Sequence, residues 1–125
     1  MAFTVIRPDD RDFKPPKAGD QRRRIASLSQ ALTHTRANIW RLPPGSRGRR
    51  HVEHTQEEMF VVLEGTLTML LGEPPERVEL PAGSVVVVEV DTPLQQRNES
   101  EADVVVLAVG APPVQGAAEH LPDVD

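Results

Sequence analysis

The 125-residue chain carries 14 lysine and arginine residues against 19 aspartate and glutamate residues, a net charge of -5, and has no cysteine. That length builds one hydrophobic core, the acidic balance argues against nucleic acid as a partner, and the lack of thiols removes disulfides and cysteine nucleophiles. No basic stretch followed by an apolar one opens the sequence, and no apolar run approaches membrane-spanning length, so a cytoplasmic protein without membrane contact is expected.

Residues 3–6 form a short β-branched run that reads as an edge strand, followed by a polar segment with Pro8, Pro15 and Pro16 that reads as an arm or loop. Residues 24–28 alternate weakly. Residues 33–42 form a further candidate strand in which Arg36, Asn38 and Trp40 share one face and Ala37, Ile39 and Arg41 the other. The stretch from Gly45 to Gly65 then concentrates His51, Glu53, His54 and Glu58 ahead of an apolar strand at residues 59–63. Strands are also expected at 66–71, 77–80, 85–88, 94–98 and 103–109, separated by glycine and proline turns. From Gly110 onward, proline, glycine and acid dominate, which suggests a tail laid on the surface or disordered. No segment holds a helical period over three turns. Many short strands at regular spacing indicate an all-β barrel or double-sheet sandwich. The expected organisation is an arm over 1–32, a barrel over 33–110 and a tail over 111–125.

The central stretch is specific in its spacing. Gly45, five residues, His51-x-Glu53, four residues, Glu58, six residues and Gly65 resemble the first motif of the cupin superfamily, which has His-x-His where this chain has His51-x-Glu53. Gly83 and Asn98 match the second motif in outline, and the resemblance covers about residues 35–110. It implies a small antiparallel jelly-roll β-barrel, a homodimer, and an N-terminal strand, for which residues 3–6 are the natural candidate, paired to the partner's sheet. Two departures stand out. The second histidine position holds Glu53, and the metal-binding histidine of the second motif is replaced by Leu94.

Two ligand sets remain open. His51, Glu53 and Glu58 offer one nitrogen and two oxygens, a set suited to harder divalent ions such as manganese or iron(II). A one-residue bulge after Val52 would instead bring in His54, giving two histidines and one carboxylate. Zinc and nickel also belong among the ions to test. Without a metal, the inward acids need partners, and Arg36, Arg49, Arg50 and Gln96 can supply them. Leu94, Gln96 and Asn98 alternate onto one face; the first two form a ligand-facing wall with Trp40, whereas Asn98 fits a structural bond at a strand end. Trp40 equally suits packing at the barrel rim. The arginines at 22–24 and at 47, 49 and 50 read as solvated faces or salt bridges, with an anion clamp at the barrel mouth as the alternative. Glu57 reads as solvated, His34 has no acidic neighbour in sequence, and His120 lies in the tail. Two functions stay open: an enzyme using a divalent metal on a small polar organic molecule, as an oxygenase or isomerase, and a metal-free binding or sensing domain.

Overall fold

A computed structural model describes residues 2–113 and 118–124. The described residues form ten strands: β1 (Arg24–Ser27), β2 (Arg36–Leu42), β3 (His51–Glu53), β4 (Glu57–Glu64), β5 (Thr66–Leu71), β6 (Glu76–Pro81), β7 (Val85–Val88), β8 (Leu94–Arg97), β9 (Val104–Ala111) and β10 (Ala118–His120). They build two five-stranded antiparallel sheets, ordered β1-β2-β9-β4-β7 and β10-β3-β8-β5-β6. Short 3-10 turns occur at Pro8–Asp10 and Ser29–Ala31, and no α-helix occurs among the described residues.

Alternation explains the packing. Phe60, Val62, Val88, Val104 and Val106 point between the sheets and meet Leu67, Met69 and Leu94 from the opposite layer. Met59 takes the other face of β4 and is partly exposed. The outer face of the first sheet carries a second, smaller core of Ala26, Ile39 and Val105, covered by Phe13 and Leu28 from the segment before and after β1. That cover stops short of β4 and β7, where Met59, Val85 and Val87 remain exposed.

Turn chemistry sets the corners. Gly65 has φ +77°, and a Cβ there would lie 2.5 Å from the Asp103 carbonyl oxygen, so only glycine joins β4 to β5 without displacing backbone. Asn98, fully buried, donates to the Leu42 and Ala102 carbonyls at 2.8 Å each and accepts from the Ser100 amide and hydroxyl. Its role is the structural one expected.

The structure differs from the sequence reading at both ends. Residues 3–6 form no strand and are exposed, because a β-branched run becomes a strand only where an edge receives it. Sheet structure begins within the expected arm, at β1. Part of the expected tail is also ordered into the fold: β10 pairs antiparallel with β3, with His120 opposite His51. Beyond it, Asp123 accepts from Gln95, while the Pro122 and Val124 carbonyls accept from Arg50 and Arg97. Residues 114–117 and 125 of that tail, and Met1, lie outside the described residues.

Candidate metal centre

Strand β3 is regular, so His51 and Glu53 emerge on one face, and Glu58 enters from β4 in the opposite sheet. One ligand atom from each lies within 4.8 Å of the others. His51 Nε2 is 3.5 Å from Glu58 Oε1 and 3.9 Å from Glu53 Oε2. The two acids are buried, at 5 % and 8 % exposure for Glu58 and Glu53.

The tautomer of His51 follows from its other nitrogen. Nδ1 sits 3.0 Å from the Arg49 carbonyl oxygen, which only accepts, so Nδ1 carries a proton. In the neutral ring, Nε2 is then a bare lone pair aimed at a carboxylate. Glu58 Oε1 is itself buried without a hydrogen-bond partner. Two acceptors facing each other across 3.5 Å need a positive charge between them, either a proton or a metal ion.

Arg36 is the resident counter-ion. Its guanidinium donates to Gln56 Oε1 at 2.8 Å and approaches Glu58 at 3.5 Å and Glu53 at 3.9 Å. Gly110 makes this reach available. It pairs with Arg36 on one side and Glu58 on the other, and a Cβ there would meet the Arg36 Nη2 at 2.9 Å and the Gln56 Oε1 at 3.0 Å. Sequence reasoning placed Gly110 at the start of a tail; its signal appears only once the strand register is known.

Titration reflects this crowding. For His51, burial works against the charged ring and is the largest influence. The close approach of the Glu58 carboxylate and the hydrogen bond to the Arg49 carbonyl, with the charges of Glu58 and Glu53, outweigh it and raise the pKa. Glu53 is raised first by burial and then by the Glu58 charge, with His51 and Arg36 opposing. His51 and Glu53 thus share a space that favours their protonated forms unless further positive charge is added.

The structure places the remaining sequence candidates as follows. His54 is outside the cluster: the β3 register has no bulge, and His54 turns outward to Asp91 Oδ1 at 2.6 Å and Glu119 Oε1 at 2.8 Å. Its pKa is raised, by the Asp91 bond first and the Glu119 bond second. Leu94 is paired with His51 across β3 and β8, is 1 % exposed, and lines the same cavity as the cluster. Gln96 and Trp40 line the same cavity, and Trp40 carries the Arg23 guanidinium 4.6 Å above its ring. Arg50 is directed away from the acids, to Glu73 at 2.9 Å. His120, unremarked by its sequence neighbours, lines the cavity with its ring 6.4 Å from that of His51. The cavity has a volume of about 650 Å³ and is walled by both sheets and by residues 12–18.

The sequence profile of a cupin domain matches residues 38–110, more than half of the chain. The chain belongs to the cupin domain family. No curated protein matches this cupin significantly in sequence. Among solved structures, the polyketide cyclase RemF from Streptomyces resistomycificus superposes with a TM-score of 0.84 at 13 % identity, covering 99 % of this cupin and 89 % of RemF. A cupin-superfamily sugar phosphate isomerase from Silicibacter pomeroyi gives 0.72 at 22 % identity, over 86 % of this chain and 75 % of that one. Against an Acidithiobacillus ferrooxidans structure with a TM-score of 0.65 and 24 % identity, this cupin spans 58 % of the relative's length. These similarities show a shared jelly-roll; the site has to be read from this cupin's own residues.

Proposed function

We propose that this cupin holds a divalent metal ion on His51, Glu53 and Glu58 and acts on a small polar organic molecule admitted to the adjoining cavity. One observation carries the reading: Nε2 of His51, whose Nδ1 is committed to the Arg49 carbonyl, faces the buried Oε1 of Glu58 at 3.5 Å, an oxygen with no hydrogen-bond partner. Ligand atoms at right angles on a first-row ion lie about 3 Å apart, and wider angles separate them further, so this spacing suits an ion between them. Bound there, the ion would supply Lewis acidity or a site for oxygen, which corresponds to isomerase or oxygenase chemistry. Arg36 steadies both carboxylates, the Arg49 carbonyl fixes the His51 ring, and Leu94 and Phe60 keep the inner wall dry. Glu53, the more loosely placed acid with a raised pKa, completes the ligand set or takes a proton from a bound molecule.

A metal-free binder is the second reading, favoured by the apolar Leu94 at the fourth position and by the Arg36 charge already beside both acids. Metal analysis of untagged protein separates the two. Wild type is expected to carry close to one manganese, iron, zinc or nickel ion per chain, and His51→Ala none. A wild type that stays metal-free after incubation with each ion would leave only the binder.

We also propose a homodimer. The uncovered stripe of Met59, Val85 and Val87 includes the edge strand β7, and the same chain carries the exposed apolar residues Phe3 and Val5. An unpaired edge beside an apolar face invites a second strand. Val87→Lys is expected to shift the sedimentation of the protein from dimer to monomer. A wild type that sediments as a monomer at high concentration rejects this.

A further inference from the structure

The cavity carries more positive charge than its acids consume, in a protein that is acidic as a whole. Five cations line it: Lys14, Lys17, Arg23, Arg36 and Arg49. Arg36 is occupied by Glu53, Glu58 and Gln56, and Lys14 pairs with Asp12 at 3.4 Å. The remaining three have no carboxylate partner among the described residues. Asp20, the nearest acid in sequence to Arg23, gives its carboxylate to Arg22 at 2.7 and 3.0 Å and offers Arg23 only its backbone oxygen.

Arg23 is built in rather than loosely solvated. It is 6 % exposed, stacks on Trp40, and is tied to the Ala18 and Asp20 carbonyls at 3.0 and 3.1 Å. Gly19 brings a second arginine beside it. With φ +83°, Gly19 turns the loop so tightly that a Cβ there would lie 2.6 Å from Arg23 Nη2 and 2.9 Å from Arg49 Cγ. Arg23 and the Arg49 side chain thus approach one another around one glycine with no carboxylate in ion-pair contact with either among the described residues, a repulsion that a bound anion would relieve. Burial chiefly, then the charges of Arg49 and His51, hold His120 below its ordinary value. Arg23 is lowered by burial first; Asp20 opposes this and Arg49 adds to it.

We infer that Arg23 and Arg49, with His120 beside them, form an oxoanion subsite, so that the molecule bound in the cavity carries a carboxylate or phosphate. The inference rests on the cavity being a ligand site, and it names the ligand's class. Arg49 lies two positions before His51, whose Nδ1 the Arg49 carbonyl holds. The anion therefore docks against the same short segment that presents the candidate metal ligand. A substrate held by its charged end at Arg49 would place its remaining polar atoms towards His51 and Glu58.

Isothermal titration of the untagged, metal-free protein with inorganic phosphate and with malonate, at fixed ionic strength set with chloride, tests this. One site per chain is expected for at least one of the two anions, weakened about tenfold or more in Arg49→Ala, the scale of losing a charge-assisted contact. Arg49 is exposed, so its truncation leaves the core intact. A preference between the two anions identifies the charged group, and either preference supports the subsite. Absence of binding for both, or an Arg49→Ala variant that binds as wild type does, overturns it. Because no metal is present in the titration, failure here is separate from failure of the metal reading.

Discussion

Glu58→Gln is expected to lower divalent-metal affinity by about a hundredfold or more while the fold persists. Glutamine keeps the shape of a side chain that is 5 % exposed, so the layer around Phe60 and Val88 need not repack. What is lost is the anionic oxygen facing Nε2 of His51. Changes that only touch a ligand's supporting partners already cost about 10- to 100-fold, and a ligand itself stands at or beyond that range. The same variant should flatten a pH dependence of the metal-free protein. His51 and Glu53 both have raised folded-state pKa values. Each therefore contributes stability that is fully present below its unfolded pKa, about 6.5 and 4.5, and lost as pH rises through its folded value. Chelated wild type should lose stability from mildly acidic to mildly alkaline pH more steeply than Glu58→Gln, which removes the charge that helps raise both. Denaturant unfolding across that range, paired with metal titration, checks both parts. An unchanged metal affinity in the variant would remove Glu58 from the ligand set.

Leu94→His should act in the opposite direction on metal and at a cost to the metal-free fold. The His51–Leu94 pairing puts the two Cβ atoms across adjacent strands, about 5 Å apart. An imidazole at 94 would add a nitrogen to a three-residue set and tighten metal binding by about tenfold or more. Leu94 also belongs to the inter-sheet core, so burying an unsatisfied ring there should destabilise the metal-free protein by about 2 kcal/mol or more. The signature is a variant less stable than wild type in chelator and more strongly stabilised by saturating manganese or iron, because ligand binding adds to stability by mass action. Thermal unfolding in both conditions measures it. A variant whose metal affinity does not rise would show that position 94 does not face the ion.

The barrel could be read from the chain because its strands alternate and its turns carry glycine and proline at the required places, as at Gly65 and Gly83. His51 and Glu58 were legible through the resemblance of their spacing to the cupin motif. The choice between Glu53 and His54 was not, since a bulge depends on pairing partners remote in sequence. Asp91 and Glu119, which hold His54 outside, lie 37 and 65 residues away from it. Arg36 could be suspected as a counter-ion, but Gly110, which clears its path, has meaning only in register. The charged lining was legible only as the alternative of an anion clamp among the arginines at 22–24 and at 47, 49 and 50: Arg23 and Arg49 meet around Gly19 through a loop, and nothing in their sequence spacing singles out that pair. Strand β10 escaped for a different reason. Ala-Glu-His has little intrinsic preference for extended structure, and the exposed margin of β3 recruits it.

That recruitment has a practical side. Ala118 and His120 line the cavity, and residues 122–124 run on to accept hydrogen bonds from Arg50, Gln95 and Arg97. A cut before Ala118 would therefore remove one wall of the pocket and three acceptors together, so proteolysis of this segment would be felt at the site.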